Sequence, residues 1–151
     1  MSYNTVIDGN LHMVDDSARY ELLIDDYTVT SDDNGKVLGI ATDAKTITLP
    51  LAASNTGMVL TIVNMGAAGN NIITISPNAL DAIFGNVSSS AGKNADATTA
   101  DGLVDISGGV VNKNWINTKA TANVGDRITL MSDGGTKWII LGGVGVWVSE
   151  G

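Results

Sequence analysis

The stretch TITLPLAASNTGMVLTIVNMGAAGNNIITISPNALDAIFG, residues 46–85, decides the fold class of this chain. Ile47 and Leu49 share one face of a short strand, and Pro50 ends it because proline has no N–H to give a ladder. Met58, Leu60 and Ile62 then alternate with Val59, Thr61 and Val63, the two-residue period of an extended strand. Gly66, Gly69, Asn70 and Asn71 adopt positive φ at low cost, so the chain is expected to reverse there. It returns as Ile72-Ile73-Thr74-Ile75 and stops at Pro77, and the whole reads as a β meander. Its polar positions are mostly Thr, Ser and Asn, which suit strand faces and turns and bring no reactive group.

Strand signals continue on both sides. Tyr20, Leu22 and Ile24 fall on one side of an extended segment, and Tyr27 and Val29 resume after a phase shift at Asp25-Asp26 that marks a bulge or corner. Asn34-Gly35 predicts a two-residue hairpin joining 27–30 to 37–42. Residues 80–85 fit either a helical turn or a strand. Residues 86–102, NVSSSAGKNADATTADG, have only small and polar side chains and read as a long surface loop. Residues 103–106 and 115–121 are strand-like, while 127–131 and 138–141 flank Asp133-Gly134-Gly135 as a hairpin. In the tail GGVGVWVSEG, residues 142–151, Val144, Val146 and Val148 alternate with Gly145 and Trp147. Such an edge aggregates unless the domain's own sheet or a partner subunit covers it. No segment carries ten residues of helical amphipathicity, and there is no solenoid period or heptad. The expected fold is all-β, a compact β-sandwich or small barrel (β-tulip-like) of about 8–11 short strands. An irregular N-terminal arm, residues 1–19, precedes a single domain at 20–151.

A chain of 151 residues can bury roughly two thirds of its extended surface. With 44% hydrophobic but only 5% aromatic residues, the core must be built from Val, Ile, Leu, Met and Ala. The absence of cysteine excludes disulfides, thiolate catalysis and zinc-thiolate clusters. The N-terminal MSYNTVIDGN lacks a basic region followed by an apolar core, and no run reaches the roughly 20 apolar residues of a membrane span. A soluble protein made in a cytoplasm is expected. The net charge is −8. Residues 1–43 hold nine carboxylates against Arg19 and Lys36, and so carry seven of the eight excess negative charges. With no basic stripe to release counterions, nucleic acid is disfavoured as a ligand. The acidic third either faces a basic protein surface or forms a solvated face.

The chemistry-bearing residues form no site. Asp32-Asp33-Asn34-Gly35 fails as a calcium loop, because Thr30 and Ala41 stand where the first and last ligands belong. Asp15-Asp16 and Asp25-Asp26 would serve a glycosidase only if folding paired them across a sugar-sized cleft. His12 is the single histidine, with no nucleophile elbow and no other soft ligand to accompany it. Gly142-Gly143-Val144-Gly145 lacks the spacing of a dinucleotide fingerprint, and Asn86-Val87-Ser88 matches a glycosylation sequon only formally. No catalytic, cofactor or metal residue is therefore assigned, and an enzyme is not expected. Of the three tryptophans, Trp138 reads as core and Trp147 as an interface residue.

TITLP, then residues 57–64 (GMVLTIVN), the GNN turn, ITISP with Asp81 and Gly85, and finally ITLMSDGGTKWIILGG resemble, in order and spacing, β domains of tailed-bacteriophage structural proteins. Head decoration (cement) proteins and some tail-fibre domains contain such segments. The similarity covers roughly residues 44–85 and 124–143, and the first 43 residues fall outside it. For decoration proteins it implies small oligomers, commonly trimers, seated on the outer surface of the capsid and bridging capsomers. The expectation is a virion protein whose partners are the major capsid protein lattice, neighbouring decoration subunits reached through the arm, and two further copies of itself. Capsid or neighbour contacts are expected at Tyr3, Val6, Ile7, Leu11, His12, Asp15, Asp16 and Arg19, and subunit packing at Val144, Val146, Trp147 and Val148. The alternative is a fibre or receptor-binding domain recognising a cell-surface glycan through residues 86–102 or an exposed tryptophan.

Overall fold

The computed structural model describes residues 4–7, 10–13, 19–67, 72–88 and 104–150. They form an all-β protein with fourteen strands among them. The strands are β1 (Asn4–Ile7), β2 (Asn10–Met13), β3 (Tyr20–Leu23), β4 (Tyr27–Thr28), β5 (Val37–Ile40), β6 (Lys45–Thr48) and β7 (Val59–Asn64). The second half adds β8 (Ile73–Ser76), β9 (Ala82–Ser88), β10 (Val104–Gly108), β11 (Trp115–Asn117), β12 (Arg127–Ser132), β13 (Lys137–Val144) and β14 (Trp147–Ser149). The count exceeds the expected 8–11 chiefly because the arm at residues 1–19, read as irregular for want of a sustained period, contributes β1 and β2. Of residues 80–85, open between turn and strand, 82–85 enter β9.

Twelve of the strands build two sheets. The larger has the order β10-β9-β13-β12-β7-β5-β3, the smaller β14-β11-β8-β6-β4. In the N-terminal arm, β1 and β2 pair antiparallel with each other, Ile7 opposite Asn10.

The expected meander and the Asn34-Gly35 hairpin are both corrected. From β3 to β8 the chain crosses from one sheet to the other at every connection, so each strand lies parallel to the one two places before it. Tyr20 pairs with Val37 and Val37 with Thr61 in the larger sheet; Tyr27 pairs with Ile47 and Ile47 with Ile75 in the smaller. The result is a flattened coil of three turns. Asn34 (φ −58°, ψ 125°) and Gly35 (φ +82°) form a type II turn, closed by Lys36 N–H on Asp33 C=O at 3.0 Å. That turn belongs to an arch between sheets, whereas a two-residue hairpin would need a primed turn and adjacent antiparallel strands.

Side-chain acceptors tie each arch to the next turn of the coil. Asp26 accepts from Thr46 N–H, Asn34 from Val59 N–H and Asp43 from Ile72 N–H, each at 2.9 Å. The phase shift at Asp25-Asp26 is thus a corner. Several acids that read as a solvated face are instead used at the arches, where backbone donors leave the ladder unpaired.

The second half is largely antiparallel. β12 and β13 form the expected hairpin, with a register shift between Thr129 and Leu130, and β14 adds to β11. The alternation read from sequence holds: Met58, Leu60 and Ile62 are buried while Val59, Thr61 and Val63 face outward. One core cluster joins the sheets, with Leu38, Ile40, Leu60, Ile62, Leu130 and Trp138 from the larger and Ile47, Ile73, Ile75, Trp115 and Trp147 from the smaller.

Candidate functional site

Three buried polar clusters fix the ends of the sandwich. At the end of β7, Asn64 Nδ2 donates to Asn117 Oδ1 at 2.8 Å, and Asn117 Nδ2 donates to Asp126 Oδ2 and to Val146 C=O, both at 3.0 Å. All three side chains are buried. At the opposite end Asp81 Oδ2 accepts from Ala52 N–H at 2.8 Å, Ser132 Oγ donates to Ala52 C=O at 2.8 Å, and Trp138 Nε1 donates to Pro50 C=O at 3.2 Å. These buried hydrogen bonds favour one arrangement of the two sheets, although Asp81 Oδ1 is buried without a hydrogen-bond partner.

The third cluster centres on Asp33. Its carboxylate accepts from Lys36 Nζ at 2.8 Å, Thr30 N–H at 2.8 Å and Tyr27 Oη at 3.1 Å, while Lys36 also reaches Glu21 at 3.1 Å. Burial alone would push the Asp33 carboxyl up, but these donors outweigh it and hold the carboxyl below its ordinary 3.8. Lys36 is raised above 10.5, chiefly by its bond to Asp33, and Tyr27 is raised by burial and by the carboxylate beside it. The cluster clamps the first arch. Among the described residues no group of three or more Asp, Glu, His or Cys could hold a metal ion.

The surface with the strongest character is the outer face of the larger sheet. In β3, β5, β7, β12 and β13 the residues alternating with the core project there. They are Tyr20 and Leu22, then Val37 and Gly39, then Val59, Thr61 and Val63, then Arg127, Thr129 and Met131, then Lys137, Ile139 and Leu141. No carboxylate occurs among them, in a chain with 16 Asp and Glu. Exposure is high for Tyr20 (49%), Leu22 (52%), Leu141 (55%) and the flanking Ile24 (61%). A Cβ on Gly39 would lie 2.6 Å from Tyr20 Oη and 2.9 Å from Met65 Cγ, so both side chains lie over this glycine. Across the middle, Thr61 and Thr129 hydroxyls pair at 2.8 Å. At the β9 end the Phe84 ring packs on Gly109, with Lys137 Nζ 5.3 Å from its centroid, so the chain itself covers that flank.

The sequence-expected site residues fall elsewhere. Val6, Ile7, Leu11 and His12 lie on β1 and β2, opposite one another as Val6 with Leu11. Arg19 is exposed at the start of β3. Tyr3, Asp15 and Asp16 lie outside the described residues, as do 89–102 of the expected loop; its first residues, Asn86 to Ser88, end β9 instead. Trp147, expected at a subunit interface, is fully buried in its own protomer, with Nε1 donating to Val144 C=O at 3.2 Å. The aromatic side chain is large enough to fill the sandwich end once β14 pairs with β11. Of the tail quartet, Val144 and Val146 are half-buried and only Val148 is exposed, at 41%. The domain's own sheet covers the tail, and none of the three tryptophans is available for stacking.

The outer face was overlooked in sequence although its signal is present. Val59, Thr61 and Val63 alternate with core residues yet are themselves apolar or nearly so, the mark of a strand buried on both sides. Comparison with protein families, curated proteins and solved structures finds no match to this chain.

Proposed function

We propose that this chain is a structural protein of a bacteriophage virion, a capsid decoration protein that sits on the outer surface of the shell as a homotrimer and clamps the major capsid protein lattice. The observation that carries the reading is the carboxylate-free, aliphatic and threonine-rich outer face on a sandwich locked by buried hydrogen bonds. A rigid body offering a surface and no reactive group suits work done by binding. The resemblance of residues 44–85 and 124–143 to phage decoration proteins supports it, and those residues supply β6 to β8, the first part of β9, β12 and most of β13. Each protomer brings one N-terminal arm. Three weak arms on one body bind with a high effective local concentration, so avidity replaces single-site affinity. Neighbouring decoration subunits are the arms' second target. Neither nucleic acid nor a membrane takes part in this mechanism.

Deletion of residues 1–18, followed by occupancy measurements on undecorated shells, tests the arm's part. Occupancy is expected to collapse while the body stays folded; unchanged occupancy contradicts it. A glycan array run on the same protein probes the alternative fibre-domain reading, whose tryptophan candidates are all buried.

A further inference from the structure

We infer that the outer face of the larger sheet, from β3 to β13, is the surface through which copies of this chain associate, in place of the C-terminal tail. The inference deepens the proposed function and rests on it only for the number of copies. Area is the first argument. Five strands at about 4.8 Å spacing and six residues at about 3.3 Å each give a footprint of about 500 Å². Two such faces in contact remove at least about 1,000 Å² from water, the threshold at which a specific interface becomes stable.

Charge is the second. A protein of net charge −8 repels its own copies unless the contact surface is cleared of carboxylates. Here the outward positions of five strands hold only two charges, Arg127 and Lys137, at opposite ends of the sheet: Arg127 begins β12 opposite Val144, and Lys137 begins β13. The middle is Val37, Val59, Val63, Met131 and Ile139 around the Thr61–Thr129 pair. Such a face is complementary to itself without a charged counterpart.

Sedimentation velocity on the intact chain tests this, with Leu22→Asp and Leu141→Asp as face variants and Val148→Asp as the tail control. All three positions are exposed, so the monomer fold tolerates the change, and thermal melts verify it. The expected result is an oligomer that both face variants weaken at least about tenfold and the control leaves intact, since a carboxylate buried at an apolar contact must lose its water. A parent chain that stays monomeric at high micromolar concentration overturns the inference. So does an oligomer indifferent to Leu22→Asp and Leu141→Asp, or one that Val148→Asp dissociates. Binding to capsid shells, measured separately on the same variants, reports on the proposed function: face variants that lose shell binding but keep the oligomer overturn this inference and leave that reading standing.

Discussion

Asn64 Nδ2 and Asn117 Oδ1 meet at 2.8 Å inside the protein, joining the last residue of β7 in one sheet to the last residue of β11 in the other. Neither side chain touches solvent, and Asp126 and Val146 C=O complete the partners of Asn117. Replacing Asn117 by Ala removes the acceptor that the Asn64 amide uses and one of two donors on Asp126 Oδ2, which keeps Asn123 N–H at 3.0 Å. The expected cost is about 1–3 kcal/mol, the range for buried polar groups that lose a partner. Urea denaturation at neutral pH measures it; a loss below about 0.5 kcal/mol, on the order of a surface change, would remove the lock from the account.

Two glycines separate conformational strain from collision. Gly35 (φ +82°) has nothing within 4 Å of where an added methyl group would sit, whereas a Cβ on Gly134 (φ +77°) would run into Thr56. Gly35→Ala should therefore cost about 1 kcal/mol from φ alone, and Gly134→Ala distinctly more. Equal losses in parallel denaturation curves would show that the Thr56 contact is soft.

The Asp33 cluster has a pH signature. Its carboxyl titrates below 3.8, so folding gains stability that is complete above about pH 5 and lost as the pH falls through the folded value. Lys36 runs the other way: its pKa is raised, so its contribution is present below 10.5 and disappears only at higher, strongly alkaline pH. Between those limits the cluster gives a flat profile. In Asp33→Asn the acid-side slope between about pH 5 and 3 should flatten and the neutral stability fall by about 2–3 kcal/mol, the worth of hydrogen bonds to a buried charge. An unchanged slope would locate acid sensitivity elsewhere.

Trp147 distinguishes core from interface. Fully buried in its own chain, it should cost about 3–5 kcal/mol on replacement by Ala, visible in the unfolding of dilute, dissociated protein. If Trp147→Ala melted like the parent and changed only oligomer size, the tail would regain the role the sequence suggested for it.

The fold class was legible because its signal is local. Alternation at Met58 to Val63 and the Asp133-Gly134-Gly135 turn give strands and a hairpin wherever their partners lie. Which sheet a strand enters was not legible. Asn34-Gly35 looks alike in a hairpin and in an arch, and what distinguishes them is Asn34 Oδ1 bonded to Val59 N–H, 25 residues away. Asp26 and Asp43 were likewise unreadable, since a carboxylate that caps an arch is the same in sequence as a solvated one. Trp147 was misread because its burial depends on β14 pairing with β11, two strands well separated along the chain. Leu22 and Leu141 come from opposite halves of the chain, and only the order of strands in the larger sheet places them on one face.

The central claim is that this protein works by binding a capsid shell, and cosedimentation tests it most directly. The intact chain is mixed with undecorated tailed-phage capsid shells, and bound copies are counted per capsomer. The account expects saturable binding in multiples of three, resistant to washing and lost with residues 1–18. Chain that stays in the supernatant at saturating concentration would contradict it.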